Sequence, residues 1–382
     1  MKILMVSMNS IHFQRWTEQL KSSGHEIHWF NVRDGGYSKK LSWVNQIVGW
    51  KQKFSNLKGR SFLKKNYPWF YKKISVLIEN NTAKAFEKAL LEIKPDVVHS
   101  FVLYVSCVPI LSVMKKYPNI KWIYSSWGSD LFYYQHQVDY LKNIKNVLPR
   151  VNYLFADCRR DVDLAKKYGF NGELLGVYPG GGGYELKTFE AHVLPVNQRK
   201  IILVKGYQGR SGRAITVLKA INNISDILKP FSVVVFGADK EVEDYINSNK
   251  LDSKLQLSIF TKAKFLPHTE IIKLMGKALI YIGNSNSDGM PNTLLEAIIM
   301  GAFPIQSNPG GASAEIIEHD KNGLLINDCE DVDHVKKLIV KAINENNLIA
   351  DAFNFNQDKV KPNLSRASIA KEVISKYNKV VN

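Results

Sequence analysis

Residues 285–317 read SNSDGMPNTLLEAIIMGAFPIQSNPGGASAEII, and this stretch decides the architecture. It divides into a polar loop, a helix, a short apolar strand and a glycine turn, with two carboxylates, Asp288 and Glu296, separated by seven residues. Pro291 and Asn292 open the predicted helix, which leaves Asp288 in the loop beside Gly289 and puts Glu296 about one turn inside. Both acids therefore lie near one helix N-terminus, where unpaired backbone N–H groups and the positive end of the helix dipole favour a phosphate. A carboxylate in that position can accept paired hydrogen bonds from sugar hydroxyls. The combination suits a sugar nucleotide, whereas an acid pair alone reads better as a surface loop before an ordinary amphipathic helix.

The flanking glycines and proline extend the pattern beyond the acid pair. With Asp288, Glu296, Gly301, Pro304, Gly310, Gly311 and Glu315 in register, the stretch resembles the retaining glycosyltransferases of family 4. Their C-terminal domain carries a Glu-x7-Glu signature, a glycine-and-proline strand and a Gly-Gly turn. Asp288 replaces the first Glu of that signature with a side chain one methylene shorter. The resemblance implies an α/β chain of the GT-B type, with two Rossmann-like doubly wound domains facing an interdomain cleft. It also implies retaining transfer of a hexosyl or N-acetylhexosaminyl group from a nucleotide-diphosphate sugar to a glycan or lipid-linked saccharide, in surface polysaccharide biosynthesis. Glu296 then binds the ribose, while Asp288 and the backbone of Gly289, Met290, Pro291, Asn292 and Thr293 meet the donor sugar and phosphate. No cofactor and no metal are expected, because the nucleotide sugar is itself a substrate, with a UDP-sugar placed ahead of a GDP-sugar.

Length and composition agree. The 382 residues suit two domains, and 45% apolar content allows each its own core. No apolar run reaches the length of about 18 residues that a membrane span needs. MKILMVSMNS reads as a first buried strand, not a signal peptide, because it passes directly into polar sequence. Cys107, Cys158 and Cys329 stand far apart without metal-ligand spacing, as expected of a reduced, cytoplasmic protein.

Short runs rich in Val and Ile alternate with helical patterns. Strands are predicted at 3–6, 26–30, 97–101, 122–125 and 153–156, then at 201–204, 233–236, 279–282 and 303–306, with helices such as 16–22, 80–93 and 161–168 between them. This alternation predicts parallel sheets covered by helices on both faces. The expected boundaries are 1–178 for the acceptor-side domain, 179–198 for a hinge around the four-glycine run Gly180–Gly183, and 199–360 for the nucleotide-sugar domain. The helix at 366–382 is expected to pack back on the first domain, as the resemblance implies.

The second domain opens with IILVKGYQGRSGRAITVLKA. Lys205, Gly206, Arg210 and Arg213 lie at a strand-to-helix turn, where backbone N–H groups and cations make a diphosphate site. The three cations compete for two roles there, and a solvated basic loop is the alternative for any one of them. The resemblance further places the nucleobase near Lys264, Phe265 and Leu266; a packed apolar edge explains Phe265 and Leu266 equally well.

In the first domain Asn9, Ser10 and His12 follow the first strand, at the edge where open α/β sheets meet ligands, before a helix predicted near Arg15 or Trp16. His12 fits contact with a donor phosphate or acceptor hydroxyl, or a plain surface histidine. SSWGSDLF resembles the family's His-Gly-x-Asp element, with Trp127 in place of His and Asp130 keeping the acid. Asp130 fits positioning of the acceptor, acceptance of its proton, or a helix N-cap. Asp130, His12 and Asp288 are the candidate catalytic groups; Asn9, Ser10, His99 and Trp127 are the acceptor-side set. His99, at a strand end, also fits a satisfied core histidine.

The net charge is +17, and residues 35–77 contain no Asp or Glu while interleaving ten cations with bulky aromatics. Cations beside aromatics fit an anionic membrane surface, where a lipid-linked acceptor would be presented; a helical insert with packed aromatics is the alternative. The expected location is the inner face of the cell membrane, as a peripheral protein. No nucleic-acid module accompanies the charge, so no nucleic acid is expected. Two functional alternatives are a catalytically degenerate, sugar-nucleotide-binding membrane scaffold and a sugar-nucleotide epimerase on the same fold.

Overall fold

The computed structural model describes residues 1–53, 60–264 and 266–381. The chain forms two compact units: residues 1–157 and 161–182 with the C-terminal segment from Ala370, and residues 183–369 with Cys158–Arg160.

The first unit is built on seven parallel strands, β1 (Lys2–Ser7), β2 (Glu26–Asn31), β3 (Asn45–Ile47), β4 (Val97–Phe101), β5 (Lys121–Ser126), β6 (Tyr153–Ala156) and β7 (Glu173–Val177), in the order β3-β2-β1-β4-β5-β6-β7. Met5 of β1 lies opposite Trp29 on one side and His99 on the other. The central strands are covered on both faces; all five residues of β4, the polar His99 and Ser100 among them, are buried. The order reverses between β1 and β4, which places the loops leaving these two strands side by side.

The first helix spans Ile11–Glu18, not the predicted 16–22. Ser10 decides this: its extended backbone and its hydroxyl, which accepts from the Phe13 N–H at 3.2 Å, start the helix five residues earlier. The last helix, Arg366–Val381, contributes the buried Tyr377 to this unit. Its hydroxyl accepts from Trp16 Nε1 at 3.2 Å and bonds His99 Nδ1 at 2.5 Å.

The second unit has six parallel strands, β8 (Ile201–Lys205), β9 (Ser232–Ala238), β10 (Gln256–Thr261), β11 (Ala278–Gly283), β12 (Phe303–Ser307) and β13 (Leu324–Ile326), ordered β10-β9-β8-β11-β12-β13. This doubly wound order reverses between β8 and β11. The four strands absent from the sequence prediction, β3, β7, β10 and β13, are the edges of the two sheets. An edge strand is short or polar along its open side, so it lacks the apolar run that marks an interior strand.

Candidate functional site

The chain leaving β8 and the chain leaving β11 meet at the switch point of the second unit. Only glycine fits at two places in the first of these turns. A Cβ on Gly212 would lie 2.2 Å from the Tyr207 carbonyl oxygen, and one on Gly206 would lie 2.8 Å from Ala238 Cα. The tightened turn is then stitched to the neighbouring loop: Arg213 N–H donates to Asn284 O at 3.0 Å and Asn286 N–H to Ser211 O at 2.9 Å. The Asn284 amide donates back to Arg213 O at 3.2 Å and also to Cys329 O at 2.8 Å. The consequence is a charge pair far apart in sequence, with Lys205 Nζ 4.0 Å from Asp288 Oδ2.

The helix following this loop spans Asn292–Ile299, with Pro291 as its extended cap. Leu294, Leu295, Ala297 and Ile298 bury its apolar sides, which holds Glu296 in place although its side chain is only 4% exposed. A buried carboxylate needs a partner, and His268 Nε2 supplies one at 2.8 Å to Oε1. Thr293 Oγ1 accepts from the buried Tyr281 hydroxyl at 2.8 Å, and Gly289 N–H donates to Asp288 Oδ1 at 3.0 Å.

The three candidate cations separate. Arg213 is engaged by Glu330 and by its own turn, donating to Gly212 O at 2.7 Å and Gly209 O at 3.1 Å. Arg210 lies exposed on the turn. Lys205 sits beside Asp288 and 4.8 Å from the Tyr207 ring centroid. Tyr207 is exposed and carries Lys262 on it as well, at 4.4 Å; Lys262 pairs with Asp239 at 2.6 Å. Lys264 is exposed just past β10, Leu266 is half-buried, and Phe265 lies outside the described residues. Sequence reading passed over His268, Tyr207 and Lys262. A histidine directly after a helix-opening proline was the available signal for the first of these.

In the first unit the loop after β1 carries Asn9, Ser10 and His12. Asn9 Oδ1 accepts from Gln14 at 2.7 Å, so Asn9 and Ser10 both brace the helix start. His12 is half-buried and edge-on to Trp127, ring centroids 6.0 Å apart, and Trp127 leans on Phe101 at 4.9 Å. His99 belongs to the core: it is fully buried, both ring nitrogens are bonded, to Tyr377 and to Ser125 Oγ at 2.8 Å, and burial holds its pKa well below the ordinary value.

Asp130 is also buried and does not cap the residues that follow it. Its Oδ2 accepts from Leu103 N–H at 2.7 Å and from Tyr124 OH at 2.5 Å. The preceding Val102 has φ +68, a conformation that a β-branched residue adopts only when its surroundings force it. Burial pushes the Asp130 carboxyl up to about 7, against the two hydrogen bonds that pull it down. A raised acid pKa means that the folded state holds the proton more tightly. This contribution to stability is complete below the unfolded value near 4 and is lost as pH rises through about 7. Between those limits Asp130→Asn is expected to gain on the unmodified protein by up to ~1.4 kcal/mol per pH unit. Urea unfolding of both proteins across this range measures the difference; a pH-independent difference would refute it.

The acid-free segment sorts its aromatics into two groups. Trp50 stacks on Phe30 at 4.9 Å and donates to Asn31 O at 3.0 Å, while Trp43 donates to Glu18 at 3.3 Å and Tyr71 is buried. On helices Arg60–Asn66 and Pro68–Ile78 and at Tyr67 between them, by contrast, Phe62, Tyr67, Trp69, Phe70 and Leu77 are exposed, Trp69 by 69% and Leu77 by 72%. Lys73 Nζ lies 4.1 Å from the Trp69 ring centroid. Trp69, Lys73 and Leu77 recur every four residues and form one stripe. Phe54 and Lys58 lie outside the described residues.

Comparison with known proteins adds two family matches. Residues 2–158 match the model described as glycosyl transferase 4-like, and residues 187–357 match that of glycosyl transferases group 1. No curated protein matches the chain. Among solved structures, the chain is similar to a sucrose-phosphate synthase from Thermosynechococcus elongatus, with TM-score 0.73, 16% identity, and 99% and 98% of the two chains covered. It is similar to Anabaena HepE in complex with UDP and glucose, with TM-score 0.71, 12% identity, and 99% and 100% covered. It is also similar to the lipopolysaccharide outer core galactosyltransferase WaaB, with TM-score 0.65, 14% identity, and 100% and 99% covered. At these identities the likeness concerns the fold, which is GT-B.

Proposed function

Because this chain belongs to the group 1, family-4-like glycosyltransferases of GT-B fold, we propose that it moves a sugar from a nucleotide-diphosphate sugar to a glycan or lipid-linked saccharide, with retention of configuration, in surface polysaccharide synthesis. The observation that carries this reading is the pairing of Lys205 with Asp288 at the switch point, with the buried Glu296 about one helical turn beyond. UDP is the preferred nucleotide, a preference supported by its presence in the HepE complex.

In this reading Glu296 accepts from the ribose hydroxyls. Asp288 and the Gly289–Thr293 backbone orient the donor sugar and phosphate, while Lys205 offsets the charge that develops as the diphosphate leaves. The acceptor hydroxyl attacks the anomeric carbon from the leaving-group face, without a covalent protein intermediate. His12 and Trp127 meet the acceptor. Asp130 acts by holding the turn at Leu103. Incubation with UDP-, GDP- and ADP-sugars and a lipid-extract acceptor tests the proposal: transfer from one of them is expected. Tight nucleotide binding with no turnover would favour the scaffold reading instead.

The acceptor side faces an anionic bilayer in this proposal. Among the described residues no helix is long and apolar enough to cross a membrane, whereas the exposed Phe62, Trp69, Phe70 and Leu77 alternate with cations on a segment free of acids. Aromatics at the headgroup boundary and lysines near anionic lipid both favour association. Replacing Trp69, Phe70 and Leu77 together by Ser is expected to weaken sedimentation with anionic vesicles roughly tenfold or more. Unchanged co-sedimentation would remove the membrane reading.

A further inference from the structure

The bond between His268 and Glu296 has no place in the donor contacts assigned above. His268 is the first residue of the helix His268–Lys277, directly after Pro267. This helix buries Ile272 and Met275 in the same core as Leu294, Ala297 and Ile298. The imidazole therefore joins the starts of two packed helices through Glu296 Oε1, at 2.8 Å. The carboxylate is buried, yet the imidazole is 40% exposed, so the pair runs from the core to the surface of the unit.

We propose that His268 is a positioning residue that sets the plane of the Glu296 carboxylate and so determines how strongly the site recognises ribose. A carboxylate on a Glu side chain rotates about a broad terminal torsion. Two adjacent hydroxyls are met only when its plane is fixed, and a charge-assisted bond from Nε2 to one oxygen supplies that restraint. The cost of ordering the carboxylate is then met on folding and not on binding. This inference rests on the proposed ribose contact of Glu296.

The test compares UDP and GDP, each against its 2′-deoxy counterpart, by calorimetric binding to the unmodified protein, His268→Ala and His268→Gln. The unmodified protein is expected to prefer the ribonucleotide by roughly tenfold or more, the value of one charge-assisted hydrogen bond. In His268→Ala the preference should fall to within about threefold. In His268→Gln, whose amide nitrogen can take the place of Nε2, it should return. A purely structural role would lower the unfolding midpoint but leave the ribo-to-deoxy ratio untouched, and a ratio preserved in His268→Ala overturns the proposal. Should His268→Ala not fold, a ratio in the Gln variant that matches the unmodified one supports it, and a collapsed ratio overturns it. If the unmodified protein shows no preference at all, the ribose contact itself fails, an outcome separate from failure of the histidine's role.

Discussion

Glu296→Gln is expected to lower kcat/KM for the donor by roughly 10²–10³-fold while leaving the protein folded. The side chain keeps its shape inside the packed helix Asn292–Ile299, where it is 4% exposed, so no cavity forms. What changes is polarity. The amide oxygen can still accept from His268 Nε2, which at 2.8 Å demands an acceptor, and that choice turns the amide nitrogen toward the position where ribose hydroxyls need to donate. Two charge-assisted bonds are lost or inverted, at about 1.5–2 kcal/mol each. The loss should appear mainly as a raised KM, because the ribose is held equally in the ground and transition states. Donor kinetics of the folded variant at the unmodified value of kcat/KM would sink the proposed site.

Lys205→Ala is expected to act on the other parameter. The charge on a departing diphosphate grows only in the transition state, so removing the cation that faces it should cut kcat by roughly 10²–10³-fold, in the range of a deleted oxyanion donor. Arg213→Ala is the control. Arg213 is engaged by Glu330 and by the carbonyls of Gly209 and Gly212, so its loss should loosen the turn and cost about tenfold or less. Single-turnover rates at saturating donor distinguish the two. Equal losses in both variants would return the phosphate role to the whole basic turn.

The interior strands were legible because burial on both faces demands continuous Val- and Ile-rich runs, whereas the four edge strands carry no such demand and went unseen. The helix at Asn292 was legible from Pro291, a local signal. The first helix starts at Ile11 and not near Trp16 because Ser10, read along the chain only as part of a polar loop, caps it. Asp288 and Glu296 were legible from their spacing together with the flanking Gly301, Pro304, Gly310 and Gly311, but nothing local to that stretch reveals the imidazole 28 positions before Glu296.

By itself the sequence determined the class of this protein: two parallel α/β units, a carboxylate inside a helix start, a basic turn after a strand, and an acid-free aromatic segment. These follow from periodicity, helix-end chemistry and composition, which act over a few residues. Choices among equivalent groups belonged to the tertiary structure. It separated Lys205 from Arg213 because Glu330, 117 positions away, engages one of them, and because the stitched loops set Asp288 beside the other. It made His99 a core residue through Tyr377, 278 positions distant, and it parted the packed Trp50 from the exposed Trp69. Each decision turns on which distant group desolvates or pairs with a side chain, a quantity set by the sheet order and invisible along the chain.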